Sequence, residues 1–488
     1  MKKFYFVLFG LFLLLPFNIF AQYFLPDNSS IPVSATTINS MDVTSVDVDN
    51  DDDLDLIIAG EFQRNLLFIN DGIGNFAEDP SRLFPEKNLG DSFAGEDSED
   101  IALADFDQDG DMDVIFVSED SFFHELLVND GNGGFTFISY DFAASLGNAV
   151  TVMDLNDDNF PDIIIGNTGQ NHVYINNQDL TFSQENNRWP TNTEGTQDLK
   201  QIDLDNDGDM DLIEGIDLGS NNILINEGGF FTEENERLPI TGLTLETRKI
   251  SLGDINGDTY QDIFVSTVNF TGSGSLQNRL YLNDGNGFFS DVTSSQLPAY
   301  VQHTLDAVFL DYDFDGDLDL ITTDFQNPIS SHHSFANDGL GMFTETSDDV
   351  FGPFSYSNGI TLYSADFNGD TYPDLYFGNF QESDDILFFS EEALTISDND
   401  LFTNLTVIPN PTSEQIVLNL FLKDDISNFN AELYTMNGQE VSTFFNENLK
   451  MGAHQLDCNL PEGLSKGSYL LIMYGDQTPI VTRRIIVK

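Results

Sequence analysis

The stretch Ala104-Asp105-Phe106-Asp107-Gln108-Asp109-Gly110-Asp111-Met112-Asp113-Val114 decides the fold. Counted from Asp105, carboxylates fall at positions 1, 3, 5 and 9 of a nonamer, with glycine at position 6. The nonamer recurs seven times, beginning at Asp47, Asp105, Asp154, Asp203, Asp254, Asp311 and Asp366. Successive starts lie 58, 49, 49, 51, 57 and 55 residues apart. A repeat of roughly 40–50 residues suits a propeller blade of four strands.

What flanks the nonamer also repeats. An apolar run follows each copy, from Leu54–Ile58 in the first to Leu375–Phe377 in the last. Such runs predict strands buried on both faces. A second apolar strand then ends in a glycine turn, as in Phe68-Ile69-Asn70-Asp71-Gly72. Asn-Asp-Gly is expected to supply the positive φ angles of a tight hairpin. Phe76, Phe135, Phe182, Phe230, Phe288 and Phe343 are expected to open the fourth strands. The seventh unit has no fourth strand of its own, and Tyr23-Phe24-Leu25-Pro26 predicts an N-terminal strand that fills the place and closes the ring. After a linker, alternating segments at Gln415–Leu422, Ala431–Thr435, Tyr469–Tyr474 and Arg484–Val487 predict a small sandwich.

The expected fold is therefore all-β, a seven-bladed β-propeller followed by a small C-terminal β-sandwich of Ig-like type. The expected division is a signal peptide at 1–21, the propeller at 22–395, a linker at 396–404 and the sandwich at 405–488. Lys2 and Lys3 precede the apolar stretch Phe4 to Phe20, and Ala21 is a small residue suited to cleavage before Gln22. No second stretch is long enough to span a bilayer, so the mature protein is expected to have no transmembrane segment.

Alternating aspartates in a tight loop match calcium, which takes six to eight oxygen ligands at ~2.3–2.6 Å in flexible geometry. Magnesium, with its strict octahedron, fits less well. Four carboxylates within nine residues repel one another unless a cation lies among them. The expected ligands are Asp47, Asp49, Asp51 and Asp55; Asp105, Asp107, Asp109 and Asp113; Asp154, Asn156, Asp158 and Asp162; Asp203, Asp205, Asp207 and Asp211; Asp254, Asn256, Asp258 and Asp262; Asp311, Asp313, Asp315 and Asp319; and Asp366, Asn368, Asp370 and Asp374. Up to seven Ca2+ ions are expected, with position 9 closing each cage in bidentate fashion. Position 6 is Asp52, Asn159, Thr259 and Thr371 in the variant copies. Because β-branched residues tolerate left-handed φ poorly, the turns at Thr259 and Thr371 are expected to be re-phased onto Gly257 and Gly369. Those two loops and the Asn159 loop are the weakest. EF-hands are excluded: position 12 is glutamate only at Glu214, and every flank reads as strand.

Charge narrows the partners. The chain carries 17 Lys+Arg against 83 Asp+Glu, net −66. Residues 23–400 hold 74 of the acids and 9 of the basic residues, a net of −65. Such a surface repels phosphate backbones, so no nucleic acid is expected to bind. With Cys458 alone, no intramolecular disulfide can form, and the thiol is expected in the core.

The stretch from Ala104 to Val114, with Leu127-Val128-Asn129-Asp130-Gly131-Asn132-Gly133-Gly134-Phe135 after it, resembles an FG-GAP/VCBS repeat of integrin-α-like propellers. The resemblance covers about residues 23–395 and implies calcium at the loop between the first two strands. The C-terminal region resembles the type A sorting domain of the type IX secretion system (T9SS) of Bacteroidetes. Val407-Ile408-Pro409-Asn410-Pro411-Thr412, Leu433 to Val441, Leu464 to Leu471 and Arg483 to Lys488 carry the likeness. It implies that residues 405–488 engage the type IX secretion machinery and that the protein is secreted or placed on the cell surface.

The functional expectation is a non-catalytic binding or adhesion module for an extracellular glycan or protein. Residues 83–100, 266–278 and 323–335 are the longest insertions and the expected contacts. A propeller-based lyase or glycosidase and a scaffold in a surface complex are the alternatives. A lyase for uronates needs cations, and the propeller offers few beyond Arg64, Arg82, Arg188, Lys200, Arg248 and Lys249. The pair His332-His333 is expected in a solvated loop, with a catalytic or metal-binding role as the alternative.

Overall fold

The computed structural model describes residues 24–27, 29–36, 38–85, 96–119, 123–139, 142–240, 242–272, 275–299, 301–325, 332–351, 358–380, 384–390, 402–408, 415–423, 425–435, 440–445, 447–461, 464, 467–475 and 478–487. The expected leader lies outside them, as do residues 396–401 of the expected linker, while 402–404 belong to a strand. The chain is all-β, and its helices are single turns.

Each nonamer connects the first two strands of a four-stranded antiparallel unit. The first strands are Ser40–Val46, Glu96–Ala104, Gly147–Met153, Gly195–Ile202, Glu246–Gly253, His303–Leu310 and Gly359–Ala365. The second strand starts on position 9 of the nonamer in every unit, at Asp55, Asp113, Asp162, Asp211, Asp262, Asp319 and Asp374. In the last unit the fourth place is taken by Phe24–Pro26, which pairs with Ile386–Ser390 in the register Phe24↔Ser390. The ends of strands in units one and two also pair, Glu61 with Asp97, and fuse those units into one eight-stranded sheet. These repeated four-stranded sheets fit a propeller.

The apolar second strands are continuous because both faces are covered. Ile163 and Ile165 pack into a cluster with Phe106, Ile115 and Val117 of unit two, whereas Ile164 packs with Leu199, Leu212 and Leu224 of unit four. The same alternation holds in unit one, where Leu56 and Ile58 face Phe367, Tyr376 and Leu387 of unit seven, and Ile57 and Ala59 face unit two. With side chains alternating along a strand, one run supplies two interfaces.

Two double-phenylalanine sites correct the expected fourth strands. Phe231 and Phe289 are buried, and the strands are Phe231–Glu233 and Phe289–Asp291. Phe230 and Phe288 point outward beneath Arg188 and Arg237, with the guanidinium 4.7 and 5.2 Å from the ring centroids. A one-residue slip exchanges the two faces. His332 and His333 are also not in a loop: they begin the strand His332–Asn337 and are buried. The expected insertions are shorter than the spacing implied, since 96–100, 266–268, 323–325 and 332–335 are strand.

The C-terminal region forms two antiparallel sheets, one of Phe402–Ile408, Gln415–Leu422 and Gly452–Asn459, the other built on Ile426–Thr435, Gly467–Gly475 and Thr478–Val487. They share one core that includes Leu418, Phe429, Leu471 and Cys458. Burial pushes the Cys458 thiol up to about 12.

Candidate metal centre

The seven nonamers share one backbone path. Position 4 has positive φ in all of them (Asn50, Gln108, Asp157, Asn206, Gly257, Phe314, Gly369), and so does position 6 (Asp52, Gly110, Asn159, Gly208, Thr259, Gly316, Thr371). The path is held by position 1, whose two carboxylate oxygens accept the backbone N–H groups of positions 5 and 6 at 2.7–3.2 Å in six of the loops. Thr259 and Thr371 therefore sit at φ 76° and 75°, and the expected re-phasing does not occur: Gly257 and Gly369 fill the other left-handed position. A β-branched residue at such a φ costs roughly 1–3 kcal/mol. Thr259→Gly should raise stability by roughly 0.5–1 kcal/mol, because the relieved strain exceeds the added chain entropy of glycine. Urea unfolding at saturating calcium reads this, and a lowered midpoint would contradict the strain argument.

Position 9 does more than close a cage. All seven side chains are fully buried. One oxygen accepts the backbone N–H of position 2, and the other accepts the N–H of the residue ending the third strand, all at 2.7–3.2 Å. That residue is Asn70, Asn129, Asn176, Asn226, Asn283 or Asn337, and Ser390 in the last unit. A bidentate hold on an ion competes with these two bonds. The asparagine of Asn-Asp-Gly has a role besides the turn. The Asn70, Asn129, Asn176 and Asn337 amides reach the position-2 carbonyl of a neighbouring unit's loop. The positive φ angles belong to Gly72 and Gly74, and to their counterparts in the other copies.

Four loops gather three carboxylates whose ligand atoms lie within 4.8 Å of one another: Asp47, Asp49 and Asp55; Asp105, Asp107 and Asp113; Asp203, Asp205 and Asp211; Asp311, Asp313 and Asp315. Burial, then the Asp315 charge, pushes Asp313 up to about 6. In the other three loops Asn156, Asn256 and Asn368 keep the turn by accepting the N–H of position 5. Their amides bring no charge, and those of Asn156 and Asn368 donate to Asp158 and Asp374. Loop one has a resident counter-charge, because Arg82 pairs with Asp49. Oxygen-rich, flexible and anionic, the four clusters suit a hard divalent cation.

One constellation escaped the sequence reading. Five residues before each nonamer stand Asp42, Asp100, Ala149, Asp198, Lys249, Asp306 and Thr361. Six of them sit just after a bulge in the first strand, and Lys249 lies within the bulge between Thr247 and Ile250. Asp42, Asp100, Asp198 and Asp306 each accept a backbone N–H from the adjoining unit, those of Ile101, Val150, Ile250 and Leu362, at 2.6–3.1 Å. Lys249 of unit five reaches Asp100 of unit two at 2.9 Å and Asp42 of unit one at 3.5 Å. It crosses the middle of the assembly as a bar. Lys200 pairs with Asp198 at 3.5 Å.

Comparison with known proteins fits this geometry. Residues 47–116, 105–165, 154–214 and 254–322 match the FG-GAP-like repeat family, each match starting on position 1 of a nonamer. Residues 47–214 and 254–322 are therefore FG-GAP-like repeats. Residues 406–488 match the secretion system C-terminal sorting domain. An FG-GAP chain with this tail is an exported propeller protein, and the sorting domain implies interaction with the type IX secretion machinery and a secreted or cell-surface location. No helix among the described residues is long and apolar enough to cross a membrane. No curated protein matches the chain in sequence. Similar solved structures include an Agrocybe aegerita lectin that recognises non-reducing terminal N-acetylglucosamine, at 20% identity and TM-score 0.43 over 65% of this chain and 84% of that one. The V. cholerae biofilm matrix protein Bap1 is similar at 11% identity and TM-score 0.33, over 91% of this chain and 65% of that one. An ancestral GH74 enzyme is similar at 9% identity and TM-score 0.46, over 96% of this chain and 63% of that one.

Proposed function

We propose that the mature chain is a calcium-stabilised, seven-bladed β-propeller with an Ig-like sorting domain, and that it binds an extracellular glycan or protein without catalysing a reaction. The observation that carries the calcium reading is the convergence of three carboxylates in each of four loops that share one backbone path. Packing of unit seven against unit one through Phe367, Tyr376 and Phe389 supports seven blades. A ring of sheets presents many connecting loops on a rigid frame, the usual setting for recognition. The three asparagine loops would bind calcium more weakly than the other four. An array of glycans and surface proteins probed with the calcium-loaded chain tests the binding role. Retention of a defined ligand class is expected, and turnover of that ligand would overturn the non-catalytic part.

The alternative is a polysaccharide-degrading enzyme, and one observation favours it. Burial, then the charges of Glu119, Asp97 and Glu61, holds Glu99 well above the usual carboxylate range, as a general acid requires. Reducing-sugar release that Glu99→Gln abolishes would establish this reading in place of the first.

A further inference from the structure

The seven first strands enclose a cavity of about 450 Å3, within the size range of small-molecule sites. Its charged lining is Asp42, Asp100, Asp198 and Asp306 against Lys200 and Lys249, so four carboxyl groups face two ammonium groups, a balance of −2 with all ionised and −1 with Asp42, which burial pushes up to about 8, protonated. Lys249 is engaged by Asp100 and Asp42, and Lys200 by Asp198. Asp306 is different. Its oxygens accept the N–H groups of Ala307 at 2.8 Å and Leu362 at 2.9 Å and lie 3.4 Å from the Thr361 hydroxyl. Among the described residues no ammonium or guanidinium stands within ion-pair distance of it. A carboxylate enclosed in low dielectric attracts a cation strongly.

The shape of the site selects the kind of cation. Among the described residues, three carboxylates converge within 4.8 Å only in the Asp loops, so the cavity does not offer one metal ion three ligands. Its charges are instead spread around a wall that includes Val43, Leu252, Val308 and Phe309. An elongated organic cation matches both features, with ammonium on carboxylate and methylenes on the apolar wall. We propose that the cavity binds a short aliphatic diamine, one ammonium group resting on Asp306 and the alkyl chain on Val308 and Phe309. This site is separate from the exterior loops, so its failure would leave the extracellular binding role untouched.

Calorimetric titration of the calcium-saturated full chain tests this at about pH 7.5 and low ionic strength, with 1,4-diaminobutane and the uncharged 1,4-butanediol. The diamine should bind saturably at one site and the diol should not. Asp306→Asn should weaken diamine binding at least tenfold, and Lys200→Met should tighten it severalfold by removing a competing positive charge. Absence of saturable diamine binding, or equal binding of the diol, would overturn the proposal. If Asp306→Asn does not fold, Lys200→Met decides: an unchanged affinity there overturns it as well.

Discussion

Stripping calcium from the protein should lower its melting temperature by roughly 10 °C, and calcium but not magnesium should restore it. A site of ~0.1 mM affinity in ~1 mM calcium contributes about 1.4 kcal/mol, so the four converging loops supply about 6 kcal/mol and seven would supply about 10. At an unfolding entropy of ~2.1 cal/mol/K per residue, a propeller of ~370 residues shifts by roughly 1.3 °C per kcal/mol. The expected drop is therefore about 8 °C for four sites and about 13 °C for seven. The metal-free form should also carry a distinctive pH dependence. Burial pushes Asp55 and Asp113 up to about 7 and Asp319 up to about 8, while burial and the Asp315 charge push Asp313 up to about 6. A carboxyl whose folded pKa exceeds its unfolded value of ~3.8 binds more protons folded than unfolded, so stability falls as pH rises through that window. The metal-free protein should thus melt higher at about pH 5.5 than at about pH 7.5, and bound calcium should reverse the order. Scanning calorimetry in EDTA and in calcium at both pH values reads both effects. A melting curve indifferent to EDTA would remove the cation from the Asp loops and leave their carboxylates as surface charge.

Lys249→Met should destabilise the protein by about 3–5 kcal/mol at pH 8, the cost of leaving buried charge without its partner. The ammonium group joins Asp100 and Asp42 across the assembly. Without it, four carboxylates share the cavity with Lys200 alone. Even with Lys249 in place, burial holds Asp42 up at about 8. In the variant these carboxyls should remain protonated to still higher pH. Their contribution is present when protonated and lost as pH rises, so the penalty should shrink markedly by pH 5. Lys249→Arg, which keeps the charge, should lose less at pH 8. Equal losses for Met at pH 5 and pH 8 would show that Lys249 acts by filling space and not by charge.

How much of this was legible in the sequence depended on repetition. The nonamers, the apolar runs and the N-terminal strand Phe24–Pro26 could be placed because seven copies expose any departure from the pattern. The ring at Asp42, Asp100, Asp198, Lys249 and Asp306 repeats at the same offset, but Ala149 and Thr361 interrupt it, and one acid among 83 draws no attention. Phe230-Phe231 and Phe288-Phe289 defeat a pattern reading for another reason: either phenylalanine satisfies the apolar position, and only packing beneath Arg188 or Arg237 separates them. Thr259 and Thr371 were read through local propensity. The bonds from Asp254 and Asp366 to the N–H groups of positions 5 and 6 instead fix the turn against that preference. The histidine pair looked solvated because a polar, Pro-containing stretch precedes it, whereas His333 in fact lies 2.9 Å from the buried Asp324.

The pairing of Phe24 with Ser390 joins residues 366 positions apart in the chain. At ~5–20 residues per second, the partner of the first strand emerges roughly 20–70 s after it. During that interval the last unit lacks its outer strand and the chain cannot latch shut. The last sheet of a chain bound for export is thus completed only when nearly all of its repeats have been made. The same latch makes Phe24 and Ser390 a seam, so a circular permutant of the repeat region, freed of the C-terminal domain, that opens another connector and fuses Ser390 to Phe24 would move the seam without altering the sheet order.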